Sequence, residues 1–246
     1  MAMNGVQLCA RFSLATNRLR YCGPSDADAL LYRTIVDGAE FERSRAALER
    51  FEALGPYLRA IAEKHGLEPF DYEVVEAYWI GNKLLDGFTR EEFRGILSAF
   101  VRRGLPQSVA ERLSASLPPH PLPHHAFHVT FVGVGAVSGK VLTTFENMEM
   151  CRPSWGRVIE IGDRLVTVER PVMAVDDGRL QVGAPVVERR EIDPRVVREV
   201  AVGDTLAFHW GWAAMVLEPG QSQRLEEYTG AALETSSAAL RGLGIL

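Results

Sequence analysis

The chain has 246 residues, 47% hydrophobic and 24% charged, with a formal net charge of −5. That is the composition of a globular protein with a sizeable core, and it excludes a disordered tract, a collagen-like repeat and a disulfide-stapled miniprotein. The acidic balance lacks the basic footprint of a nucleic-acid binder, and no apolar run approaches the ~20 residues of a membrane span. The segment from Met1 to Gln7 has no cationic start leading into an apolar core, so no secretory signal is expected. The cysteines, Cys9, Cys22 and Cys151, are odd in number and far apart, as expected of reduced thiols in a cytoplasmic protein.

Residues 25–117 read as helices. Ser25 with Asp28 has the form of a capping box, and Leu30, Leu31 and Ile35 follow on one face. Ala47, Leu48, Phe51 and Leu54 recur at helical spacing. Gly55-Pro56 interrupts that pattern, Tyr57, Leu58 and Ile61 resume it, and Gly66 stops it. Asp71 opens a helix carrying Val74, Val75, Tyr78 and Trp79, whose aromatics read as core. Thr89 with Glu92 makes a second capping box ahead of Phe93, Ile96, Leu97 and Phe100.

The stretch from Leu117 to Pro123 holds four prolines in six positions and reads as a linker. Beyond it Phe127, Val129 and Phe131 alternate as in a half-buried strand. Short β-prone runs follow at Val158-Ile159, 165–168, Val186-Val187 and 206–208, with turns at Gly162-Asp163, Asp177-Gly178 and Gly203-Asp204. A helix starts near Pro219, and the tail after Ser237 reads as loosely ordered. The expected class is α+β: a helical domain over 1–117, a connector with one strand over 118–149, and over 150–246 a small antiparallel, OB-like β-barrel with a C-terminal helix.

Four of the six histidines, His120, His124, His125 and His128, fall within nine residues. His124 and His128 are candidate metal ligands, although a strand would separate them by about 13 Å. Gly133, Gly135 and Gly139 before Lys140 do not fit a phosphate loop, because Val141 stands where Ser or Thr is needed. Cys151 and His209 are a soft and a borderline donor, able to hold iron or to act as a nucleophile and base. In the second case Cys151 is the reactive thiol of an enzyme or redox sensor, Arg152 favours its thiolate, and Cys22 is its partner. A module used only for protein docking is a further alternative.

Met150-Cys151 is followed by Gly156-Arg157-Val158, and further on by Val202-Gly203-Asp204, His209, Gly211, Trp212 and Ala213, then by the acidic Leu225-Glu226-Glu227. In this order the stretch 150–233 resembles the small hydrogenase maturation chaperones of the HypC/HupF family. The resemblance implies a small barrel with a C-terminal helix that carries an iron fragment with cyanide and carbonyl ligands. The partner it implies is the large-subunit precursor of [NiFe] hydrogenase or another maturation protein. Cys151 matches the family's essential cysteine and His209 its signature histidine. Cys151 is internal here, whereas the family's cysteine opens the mature chain, and Trp155 stands where the family has proline. Residues 1–149 lie outside the resemblance; Tyr21-Cys22-Gly23-Pro24 and Glu76-Ala77-Tyr78-Trp79 resemble an uncharacterised bacterial family encountered beside hydrogenase genes.

Overall fold

The structure is a computed structural model that describes residues 3–242, with side chains described up to Ser237. It begins with a helix absent from the sequence reading. α1 (Gly5–Arg18) is capped by the Asn4 side chain, which accepts from Gln7 N, and most of its residues are buried. Only Gln7, Arg11 and Arg18, on one face, are not buried; a helix enclosed to this extent lies inside a fold rather than on its surface. Around α1 pack α2 (Asp28–Asp37), α3 (Phe41–Leu48) and α5 (Tyr72–Trp79), and α4 (Leu54–His65) packs on α5. The expected capping box at Ser25 does not form: α2 is preceded by Ala27 with no side-chain cap. The second one does. α6 (Arg90–Val101) starts on a reciprocal Thr89–Glu92 box, and α7 (Gln107–Ala115) follows.

The proline-rich stretch is no free linker. Pro121 and Pro123 are buried, and every residue from Pro123 to Val134 is buried with them. The strand expected over 127–131 is instead a helical turn, α8 (His125–Phe127), that widens into a π-helix over His128–Gly133. Two physical facts explain the difference. Prolines that end one residue before an N-cap are compatible with a helix, and His124 is that cap, its Nδ1 accepting from Ala126 N at 3.2 Å. A segment buried on all sides carries no reliable periodicity, so alternation of Phe127, Val129 and Phe131 says nothing about which period applies.

α9 (Phe145–Cys151) leads into five antiparallel strands: β1 (Ser154–Ile161), β2 (Leu165–Asp176), β3 (Arg179–Glu191), β4 (Thr205–His209) and β5 (Trp212–Leu217). Their order is β3-β2-β1-β4-β5. The hydrogen-bonded ladder does not close, with β3 and β5 at its edges, so the structure shows a five-stranded antiparallel sheet where the sequence reading expects an OB-like barrel. Asp177 and Gly178, at φ 46° and 65°, make the two-residue β2–β3 turn that the sequence predicts. α10 (Pro219–Gly242) lies across β1, β3, β5 and the π-helix, continuing past Ser237; residues 243–246 fall outside the described part of the chain.

One cluster of buried side chains runs from Leu8 and Phe12 through Tyr57, Tyr78 and Phe127 to Leu206, Phe208 and Leu225. The helical half and the sheet thus share a core, and the 123–134 segment is packed inside it.

The entry of α1 depends on close backbone approach. A Cβ on Gly5 would fall 2.1 Å from the carbonyl oxygen of Phe70, whereas one on exposed, helical Gly95 would meet nothing. Gly5→Ala is expected to lower stability by about 2–3 kcal/mol through overpacking, and Gly95→Ala to raise it by about 0.5–1 kcal/mol. Urea midpoints of the two variants measure this; a neutral Gly5→Ala would contradict the packing described.

Candidate metal centre

Cys151 is the last residue of α9, and a backbone bond from Trp210 N to Met150 O, 2.7 Å, ties that helix end to the β4–β5 turn. His209 closes β4 immediately before the turn. The tie brings together two residues 58 positions apart: His209 Nε2 lies 3.7 Å from Cys151 Sγ. His125, at the start of α8, supplies a third donor, its Nε2 lying 3.6 Å from the same sulfur. The three donor atoms lie within 4.8 Å of one another, and all three residues are buried.

Those spacings fit a metal. Ordinary Zn–S and Zn–N lengths at a tetrahedral angle place sulfur and nitrogen about 3.6 Å apart. The ring orientations fit as well. His209 Nδ1 lies 2.6 Å from the carbonyl oxygen of Phe12 in α1, which can only accept, so Nδ1 carries the proton and the Nε2 lone pair faces the sulfur. His125 Nδ1 is 2.7 Å from the Tyr78 hydroxyl, a group that can donate or accept. Where Nδ1 donates to it, His125 has the same tautomer as His209, and a single thiol proton satisfies only one of two imidazole lone pairs. A cation satisfies both, together with the thiolate.

Burial dominates the local electrostatics. It pushes the Cys151 thiol up to about 12 and His209 down to about 4, so the thiol is protonated and the imidazole neutral near pH 7. His125 is driven well below its ordinary value, first by burial and then by the neighbouring imidazoles. The expected role of Arg152 does not hold. Its guanidinium, wholly buried, binds Glu149 at 2.8 Å and the Pro171 carbonyl at 2.9 Å. Glu149 also pairs with Arg170 and accepts from Met173 N, so this network fastens α9 to β2 and leaves the thiol protonated. A buried, protonated thiol is a poor nucleophile but a normal metal ligand, because a bound cation displaces its proton.

Of the sequence candidates, the fold unites Cys151 and His209 but not His124 and His128. His124 is the α8 cap; its other nitrogen faces the Trp79–Ile80 backbone without normal hydrogen-bond geometry. His128 stacks on His125 with ring centroids 5.9 Å apart and meets the Tyr57 hydroxyl at 3.2 Å. His120 is exposed. His125 itself was passed over because a strand would have turned it away from both neighbours; one helical turn separates it from His128, and that spacing was its only signal. Trp79 walls the centre, its ring 4.3 Å from His125 and 5.0 Å from His209. Beside the sulfur lies a cavity of about 60 Å³ that also touches Ser13, Tyr21, Cys22, Glu52 and Ser138. Three protein donors facing such a space make an open coordination site.

The buried imidazoles make the fold acid-labile. Burial lowers His124 to about 3 and both His128 and His209 to about 4. Between those values and ~6.5 the unfolded chain binds more protons, so stability falls as pH falls through this window. Urea unfolding is expected to lose about 1.4 kcal/mol per pH unit for each such histidine, and His128→Gln to remove one histidine's share of that slope. A slope that stays flat from pH 6.5 to 4.5 would contradict neutral burial.

No curated protein and no solved structure matches the chain. Among described residues, no helix is long and apolar enough to cross a membrane. The profile of one protein family matches residues 1–242. The chain therefore belongs to that family, a family of unknown function (DUF6390).

Proposed function

We propose that this protein carries a transition-metal ion, and that the ion is iron bound for assembly into a [NiFe] hydrogenase large subunit. The observation that carries the reading is the 3.7 Å approach of His209 Nε2 to Cys151 Sγ, with the far side of the imidazole anchored on Phe12. These are the two residues that the chaperone resemblance singles out. His125 is the third ligand in this reading, and its Tyr78 partner orients it.

The wider arrangement supports the same reading. A thiolate with two imidazoles is a donor set suited to iron, zinc, cobalt or copper rather than to magnesium or calcium. The cavity of about 60 Å³ beside the sulfur has room for ligands of one or two heavy atoms, the size of cyanide, carbon monoxide or water. The strands after Cys151 and the helix after β5 follow the order of the small barrel with C-terminal helix, here opened and merged with the helical half. The internal position of Cys151 means that iron is held without a terminal amine, and His125 takes up that vacancy in the donor set. The partner in this reading is the large-subunit precursor.

Anaerobic purification followed by iron analysis and infrared spectroscopy tests the proposal. Wild type is expected to retain iron in amounts near equimolar to the chain, with cyanide and carbonyl bands. Cys151→Ala and His209→Ala are each expected to lower metal affinity by about 100-fold or more, the scale of losing a ligand. Wild-type protein that takes up no iron, cobalt or zinc would overturn the metal reading. Metal bound without those bands and without affinity for a large-subunit precursor would overturn the hydrogenase assignment alone.

A further inference from the structure

A buried centre needs a route by which its ion arrives. Around the cavity, outside the centre itself, lie the carboxylate of Glu52, the thiol of Cys22 and the imidazole of His128, which meets the Tyr57 hydroxyl; Glu52 and Cys22 are the pair on the side toward the surface. The two are coupled: Cys22 Sγ donates to Glu52 Oε2 at 3.1 Å, and the backbone N–H of Gly23 donates to the same oxygen at 2.8 Å. The other carboxylate oxygen reaches outward to Lys140 Nζ at 2.9 Å, and the Lys140 side chain is 42% exposed while that of Glu52 is 20% exposed. A chain of polar groups therefore runs from the surface at Lys140, through Glu52 and Cys22, to the cavity that Cys151, His125 and His209 share. Glu52 is partly exposed whereas Cys151, His125 and His209 are buried, so a dehydrating cation meets this pair first.

We propose that Cys22 and Glu52 form an entry site that receives an incoming divalent transition-metal ion and passes it to Cys151, His125 and His209. The proposal rests on the metal-binding reading above. Two donors, one soft and one hard, hold such an ion weakly, and a way-station must bind well enough to capture and weakly enough to release. Glu52 is held ionised: burial opposes its charge, but donation from Gly23 and Lys140 outweighs that. It therefore presents a negative charge at the cavity. The proton balance closes. Capture on Cys22 releases its thiol proton to solvent; on transfer the metal–sulfur bond to Cys22 breaks, one to Cys151 forms, and the Cys151 proton passes to Cys22. One proton leaves per ion loaded.

Stopped-flow mixing of the full-length metal-free protein with cobalt(II) chloride tests this, with the part of the sulfur-to-cobalt absorption that Cys151→Ala removes reporting arrival at Cys151. Cys22→Ser and Glu52→Gln are each expected to slow loading about tenfold while leaving the final cobalt content unchanged, which also shows that they fold. Lys140→Met, an exposed change, is expected to speed loading severalfold at low salt because it removes positive charge from the entrance. Loading of Cys22→Ser at the wild-type rate overturns the entry site. So does faster loading of Glu52→Gln, which would mean that the Glu52–Lys140 pair only latches the surrounding loop shut. A Lys140→Met rate equal to wild type also counts against it. Failure of wild type to bind cobalt at all overturns the metal reading itself, and is distinguishable from a centre that fills at an unaltered rate in the variants.

Discussion

The hydrogen bond from His209 Nδ1–H to the Phe12 carbonyl joins the two halves of the molecule at their most buried point. It links the last residue of β4 to the middle of α1 across 197 residues of chain. Everything at the centre follows from it. The carbonyl can only accept, so the tautomer is set, and the free lone pair turns toward Cys151. Because the imidazole is also wholly enclosed, its neutral form is favoured down to about pH 4, which keeps that lone pair available across the physiological range.

The second constraint is the way α9 is held. A helix end would ordinarily be the loosest place to put a ligand. Here the Trp210–Met150 backbone bond fixes it from the sheet turn, while Glu149, bound by Arg152, Arg170 and Met173 N, fixes it from β2. Burying two arginines and a carboxylate is costly unless each charge is paired and hydrogen-bonded, and breaking such a set leaves an uncompensated charge in the core. The network is thus better understood as a device for position than as a source of net stability. It places Cys151 Sγ within 3.7 Å of two imidazole nitrogens that arrive from different elements.

Much of the helical half was legible from local rules. The Thr89–Glu92 box and the stop at Gly66 act through nearest neighbours along the chain, and they appear where those rules place them. The Asp177-Gly178 hairpin is legible for the same reason. The 125–133 segment was not, because it is enclosed on all sides, and full enclosure erases the contrast between faces from which a period is inferred. α1, with Gln7, Arg11 and Arg18 as its unburied residues, was not read either. His125 was lost with its segment: in a strand it faces away from His124 and His128, the pair considered as ligands.

The sequence by itself determined an α+β chain, most of the helices between residues 28 and 101, four of the five strands, and Cys151 and His209 as candidate donors. Each of those rests on short-range spacing or on residue type. Only the tertiary structure decided that the sheet's ladder does not close, that helices and sheet share one core, and that His125 rather than His124 or His128 lies beside Cys151 and His209. The reason is physical. Which ring turns toward a sulfur depends on what holds its other nitrogen, and here those partners, Phe12 and Tyr78, lie 197 and 47 residues away along the chain.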